Sequence, residues 1–352
     1  MKNSSAISLR PFCFIFPSLN MMTTCMLCVL VPHIIMLFVT SSYSSLFLIF
    51  CSIFASFCAE TLDKILLRKK NIDIQISILQ GVLIGMLLPA SYPPATIFIT
   101  IVFTLLVFKY AFGGIAGSWI NPVAIVILVS YCVAPSFFPL VSLSAEQLQA
   151  QNTSLLLIQD GILPVHRFDS VVTDFLNNYV FSFLGTTIPE GYVSLLWDSG
   201  AAIPAFRFNL LTLFASLVMF SFRIIDCAVP LFFLLVYTVL VKLFCPLFAG
   251  GTIASGDIIL SLFTGGTLFT SFFVLPWFGT IPLTVFGRIV YGCIAGVAAF
   301  FISGYGMSSA GSMFTVVFAN IFSLFIQLHE QKKSRASLSV RNPESGTNKD
   351  GE

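Results

Sequence analysis

The sequence predicts an all-α integral membrane protein with about ten transmembrane helices in two inverted five-helix repeats, the third and eighth helices being broken. Three observations carry this prediction. Of 352 residues, 57% are hydrophobic and only 9% are charged, against roughly 25% charged in ordinary soluble domains. The charges are segregated, with none from Leu210 to Phe222 or from Ile289 to Phe314, as a hydrocarbon environment requires. A short internal match then divides the apolar segments into two sets.

A membrane helix needs ~20 mostly apolar residues, and such windows fall near 21–41, 44–63, 75–91, 94–110, 119–136, 207–222, 228–248, 255–274, 285–303 and 311–328. The third and eighth are short and rich in Gly or Pro ("GVLIGMLLPASYPP" from Gly81, "TGGTLFTSFFVLP" from Thr264). Irregular backbone of that kind at membrane depth needs protein or water around it. Residues 1–20 form an N-terminal segment and 21–136 the first repeat. Residues 137–206 form a loop and 207–328 the second repeat, with 329–352 as a tail. Lys2 and Arg10 precede an apolar stretch without a small-residue cleavage site, which reads as an uncleaved first helix.

The internal match lies between "FGGIAGSWINPVAIVI" from Phe112 and "GYGMSSAGSMFTVVFANI" from Gly304, in which Ala116, Gly117 and Ser118 match Ala310, Gly311 and Ser312. An odd number of spans per unit makes the second copy enter the membrane from the opposite side. In inverted repeats ligands sit near the midplane, where broken helices point backbone groups inward. Close helix packing by small residues is the alternative reading of these glycines, Gly113 and Gly114 among them.

Lys and Arg concentrate in short cytoplasmic loops. Arg68, Lys69 and Lys70 therefore place the loop after the second span inside, together with both termini. Lys109, Arg223, Arg288 and the cations Lys332, Lys333 and Arg335 also fall inside, and residues 134–206 fall outside. That outer segment carries Glu146, Asp160, Asp169, Asp174, Glu190 and Asp198, against an internal Arg167. The tail from Gln327 is polar, with too few apolar residues to offset the entropy of ordering it, and reads as disordered. A net charge of +2 without a basic stripe gives nucleic acid no footprint. Most of the nine cysteines stand in apolar surroundings, as buried thiols and not as a disulfide framework.

Several polar residues stand where chemistry is conceivable. Lys109 ends the fourth span and either snorkels or faces an anionic cofactor group. Asn121, followed by Pro122, needs a hydrogen-bonding partner in an apolar span. Arg223 and Asp226 are spaced to pair with one another. His33, in the first span, reads as a satisfied interior histidine and not as a proton relay. No Ser-His-Asp set, phosphate-binding loop or metal cluster can be assembled. The stretch "TTIPEGYVSLLWDSGAAIPAFRFN" from Thr186 joins the outer loop to the sixth span and gathers Ser199, Gly200, Arg207 and Asn209 beside aromatics. It either lines a flavin or, through Tyr192 and Trp197, forms an interfacial aromatic belt. Gly265, Gly266 and Thr267 in the eighth window are the matching broken-helix candidates.

The pieces "GVLIGMLLPASYPP", "FKYAFGGIAGSWINPVAI", "IPEGY" at Ile188, "LFTGGTLFTSFF" and "GRIVYGCIAG" at Gly287 together resemble the RnfD/NqrB family. Its members are membrane components of the Rnf electron-transport complex and of the sodium-translocating NADH:quinone oxidoreductase. The resemblance runs from about Ser18 to Gln327. It implies ten helices in two inverted halves, and a non-autonomous component of a translocase in the bacterial cytoplasmic membrane. Such a component passes electrons through flavin and couples their flow to Na+ or H+, beside other membrane and peripheral subunits. Members carry FMN esterified through phosphate to a threonine, and often a non-covalent flavin. Here the sequence departs from the family. Where Ser-Gly-Ala-Thr would fall stand Ser199, Gly200, Ala201 and Ala202, and the alternative position, near Phe206 to Phe208, also lacks threonine. A phosphoester needs a hydroxyl, which only Ser199 could supply in place of the threonine, so the resemblance implies non-covalent FMN with its phosphate met by Arg207, non-covalent riboflavin, or loss of the cofactor. The family's Asp-Pro is replaced by Leu275 and Pro276. A small-solute channel of inverted-repeat type and a flavin-free structural component of the complex are the alternative functions.

Overall fold

The computed structural model describes residues 17–67, 73–114, 117, 119–139, 165–185, 187–248, 253–254, 256–304 and 309–341, all of which form helices, turns or loops. The first half holds α1 (Leu19–Val39), α2 (Tyr43–Leu67), α3 (Ile74–Leu87), α4 (Pro94–Leu105, continued by a π-helical turn Leu106–Tyr110) and α5 (Pro122–Val133). The connecting segment contributes α6 (Asp169–Tyr179) and α7 (Tyr192–Trp197). The second half holds α8 (Asn209–Ser221), α9 (Ala228–Phe248), α10 (Ile258–Thr264), α11 (Thr267–Phe269, continued by a π turn Thr270–Val274), α12 (Val285–Ala299, continued by a π turn Phe300–Gly304) and α13 (Gly311–Arg341).

The two halves pack alike. α1 lies against α3 as α8 lies against α11; α2 against α3 and α4 as α9 against α10 and α12; α4 against α5 as α12 against α13. Across the halves the equivalent helices meet their own counterparts, α1 with α8 and α5 with α13. The fourth span of each half also ends in a π turn. Of the sequence match itself, Ala116 and Ser118 lie outside the described residues, as do Arg68 to Lys70.

Helix length sorts with burial. Leu19–Val39, Tyr43–Leu66, Val285–Ser303 and Gly311–Ser334 are long and apolar enough to cross a bilayer, and they turn large side chains such as Phe38, Phe50, Phe286 and Phe325 outward. α3 has only 14 residues, and from Ser77 to Leu87 all but Ile78 are buried. At 1.5 Å per residue it is ~21 Å long, short of the ~30 Å hydrocarbon core, and its buried stretch is enclosed by protein and not by lipid. It stops at Leu88, extended at ψ 143° because Pro89 disfavours helix in the residue before it. Gly81 and Gly85 let α3 approach α2 closely: a Cβ on either would lie 2.4 Å from Ile53 Cα or 2.5 Å from Ile49 Cα.

The eighth span is interrupted between α10 and α11 at Gly265 and Gly266, the latter in the left-handed region at φ 67°. The end of the chain corrects the expectation of a disordered tail from 329: α13 continues to Arg341. Its polar stretch is built of good helix formers, and Glu330 is anchored by the backbone N–H groups of Leu283 and Thr284. Residues 342–352 lie outside the described residues.

Candidate functional site

The connecting segment is held together by side chains that satisfy backbone groups. Asp169, at the start of α6, accepts from Gly191 N at 3.0 Å, Thr173 Oγ1 at 3.1 Å, Ser194 N at 2.7 Å and Ser194 Oγ at 2.5 Å. Burial pushes this carboxyl's pKa up, but the hydrogen bonds outweigh burial and hold it below the ordinary aspartate value. Asn177 pairs with both backbone groups of Ile188, which fixes the entry to the Ile188 to Tyr192 turn. Trp197 is exposed and meets Phe168 edge-on, as a belt residue does. Tyr192 instead donates to Asp257, which caps α10 through Leu260 N.

Below this segment seven of the expected residues come together: Ser199, Gly200, Arg207, Asn209, Gly265, Gly266 and Thr267. Arg207 forms a two-point pair with Asp198 (Nε to Oδ1 2.9 Å, Nη2 to Oδ2 2.5 Å), and its Nη1 donates to Ser42 Oγ at 2.8 Å. Gly200 N donates to the same Asp198 at 2.9 Å, and Ser199 Oγ to Phe206 O at 2.8 Å. Asn209 bridges the carbonyls of Leu195 and Phe263, tying the sixth span to the eighth next to its break. Gly266 makes room for Phe206, since a Cβ there would lie 2.0 Å from the ring. Thr267 is buried at the start of α11. Ala202 O accepts from Ala90 N, so the third span ends against this segment.

As arranged, the cluster does not fit the phosphate of a flavin. The guanidinium is committed to Asp198 and Ser42, the Ser199 hydroxyl to a carbonyl, and the space at Gly266 to Phe206. In the sequence, Asp198, which sets this arrangement, is legible only as one of the outer segment's carboxylates and not as the partner of Arg207. A carboxylate nine residues before an arginine in a loop carries no helical spacing.

The other expected residues lie apart from this cluster. Asn121 caps α5, accepting from Val123 N at 2.8 Å, and donates to Val274 O at 2.7 Å in the eighth span. Pro122 is then the first helical residue, where its missing N–H costs nothing; it frees no carbonyl. Gly113 and Gly114, at φ 94° and 81°, shape the turn after the fourth span. Lys109 does not snorkel. It is 1% exposed and turns inward, donating to Gln80 Oε1 at 2.8 Å, Tyr110 Oη at 3.0 Å and Glu60 Oε2 at 3.5 Å. Glu60 also accepts from Tyr110 Oη at 2.5 Å, Ser77 Oγ at 3.1 Å and Asp73 N at 3.4 Å. Glu60 and Gln80 were missed, although acidic residues within the apolar run of α2 were a legible signal. His33 meets Thr212 Oγ1 through Nε2 at 3.2 Å and lies edge-on to the rings of Phe269 and Phe273. Asp226 accepts from Arg288 and from Ala228 N, so its ion pair reaches across to α12.

Among the described residues, ten apolar helical segments, paired half against half and with polar groups turned inward, define a multi-pass helical membrane protein. The model of the NQR2, RnfD, RnfE family matches residues 7–335, and the chain belongs to that family. It is similar to the D subunit of the ion-translocating oxidoreductase complex of Shewanella pealeana, 25% identical over 299 residues that cover 76% of this chain and 80% of that protein. The protein of the same name from Buchnera aphidicola is 24% identical over 94% of both chains. That of Vibrio cholerae is 27% identical over 73% of this chain and 78% of its own length.

Proposed function

We propose that this chain is a membrane subunit of an Rnf-like ion-translocating oxidoreductase complex in a bacterial cytoplasmic membrane, with both termini cytoplasmic. It works beside other membrane and peripheral subunits and couples electron transfer to movement of Na+ or H+. The observation that carries the reading is the family match over residues 7–335, supported by relatives named as the D subunit of such a complex and matched over most of their length. Within this reading any FMN or riboflavin is held without a phosphoester. The Arg207–Asp198 pair at 2.5 Å has to open before Arg207 meets a phosphate.

Affinity purification from native membranes tests the proposal. Redox subunits are expected to co-purify, and their absence, with no flavin in an acid extract, overturns it. Mass spectrometry of the denatured chain is expected to show no flavin adduct. A covalent flavin mass would refute the non-covalent assignment.

A further inference from the structure

The Lys109 cluster is arranged in a way that pairing of charges alone does not require. An ammonium has only donors and a carboxylate only acceptors, so the hydrogen-bond direction along Lys109, Tyr110 and Glu60 is fixed. Nζ–H points to Tyr110 Oη at 3.0 Å, and Oη–H points to Glu60 Oε2 at 2.5 Å. A buried ion pair carries a desolvation penalty that its attraction does not always repay. Moving one proton along this chain would replace both charges with neutral groups without bringing any ion in.

Gln80 supplies an independent observation. It is fully buried, its Oε1 accepts from Lys109 at 2.8 Å, and its Nε2 has no hydrogen-bond partner. An unpaired buried N–H donor is costly. A neutral lysine amine carries a lone pair, and rotation of the carboxamide turns Nε2–H toward it. The same glutamine thus serves both protonation states of Lys109.

We propose that Lys109, Tyr110 and Glu60 form a relay that binds and passes one labile proton beside the fourth span, with Gln80 as its positioning residue. In the transfer step a Lys109 N–H bond breaks as Tyr110 Oη takes that proton. The O–H bond of Tyr110 breaks as Glu60 Oε2 takes the other. Each electron pair stays on the atom that loses its proton, so nothing is oxidised or reduced. The products are an amine, a phenol and a carboxylic acid. The groups facing Lys109 are Glu60 and Asp63 from α2, Asp73 from the turn before α3, Gln80 from α3, and Tyr110 beside it, while Ser77 of α3 donates to Glu60. The relay stands on this chain alone; its use in ion movement rests on the function proposed above.

Infrared difference spectroscopy of the purified chain across a pH step, in H2O and in D2O, tests the relay. The expected result is a protonated-carboxyl C=O band that shifts in D2O and is lost in Glu60→Gln. In Tyr110→Phe, which keeps the ring, the band's pH midpoint is expected to move by about one unit or more. Lys109→Arg, whose guanidinium keeps its proton, is expected to abolish the band near neutral pH. Absence of a band sensitive to Glu60→Gln overturns the proposal. So does an unchanged midpoint in a Tyr110→Phe chain that elutes as a single folded species. If Tyr110→Phe does not fold, persistence of the band in Lys109→Arg overturns it. A chain that shows the band but purifies without redox subunits overturns only the assembly proposed above.

Discussion

Adjacent glycines at the break in the eighth span are expected to respond in opposite ways to alanine. At Gly265 the nearest atoms to an added Cβ are Thr267 Oγ1 at 3.5 Å and Ser261 O at 3.7 Å, both ordinary contacts, and the backbone φ is −88°. Alanine there is free of strain and restricts the unfolded chain, a gain of about 0.4–1 kcal/mol at compatible sites. At Gly266 the φ of 67° costs a residue with a Cβ about 1–2 kcal/mol. The Cβ also meets three ring atoms of Phe206 at 2.0–2.5 Å. Phe206 is 5% exposed, so its ring cannot yield without disturbing the core, and overpacking of that kind costs about 1–3 kcal/mol. The sum for Gly266→Ala is about 2–5 kcal/mol. At roughly 1.4 °C per kcal/mol, from an unfolding entropy of about 2.1 cal/mol/K per residue over 352 residues, the apparent Tm in detergent is expected to fall by about 3–7 °C. For Gly265→Ala the apparent Tm is expected to stay within a few degrees of the parent. Thermal unfolding followed by fluorescence-detected size exclusion reads both. Equal Tm values, or a larger loss at Gly265, would refute the packing of Phe206 into the break.

Lys109→Met leaves Glu60 as a buried carboxylate without its cation and is expected to cost about 3–5 kcal/mol; the double variant Lys109→Met/Glu60→Met should recover most of that loss in the same Tm assay. Asn121→Ala removes a helix cap, worth about 1 kcal/mol, and the bond to Val274 O at 2.7 Å, so hydrogen exchange should rise in both α5 and the π turn Thr270–Val274; a rise in α5 alone would refute the bridge. Because the folded pKa of Asp169 is held low, its hydrogen bonds stabilise the connecting segment at pH above the ordinary aspartate value of about 3.9. That stability is lost as pH falls through the depressed folded value. Limited proteolysis of α6 and α7 should therefore accelerate only in acid. In Asp169→Asn cleavage should be faster already at neutral pH and less dependent on acid.

Much of the helical architecture was legible because apolar runs in this chain end where the chemistry changes. The window 228–248 coincides with Ala228–Phe248 and 94–110 with Pro94–Tyr110. Gly266 was legible as a break because a left-handed turn in an apolar run has few other solutions. Pairings between distant elements were not legible. Asp226 is spaced correctly for Arg223, while the fold brings Arg288 to it across 62 residues, and no local period encodes that contact. Lys109 was misread for a related reason. Its position at the end of an apolar run suits snorkelling, and only the packing of α2, α3 and α4 shows a carboxylate waiting inside. Arg207 had the charge for a phosphate, but Asp198, nine residues earlier in a loop, takes it.

Short helices and buried charges in this fold have one cause. A helix of 14 residues such as α3 cannot face lipid along its whole path, so neighbours must surround it. That enclosure is what lets Gln80 and Ser77 sit buried on α3 opposite Glu60 on α2 and Lys109 in the π turn that continues α4. Gly81 and Gly85 are the condition for it, since they bring α2 and α3 to backbone contact and so place Ser77 within 3.1 Å of Glu60. A side chain at Gly81 would separate the two helices. It would thereby lengthen the hydrogen bonds of a charge cluster that it does not itself touch.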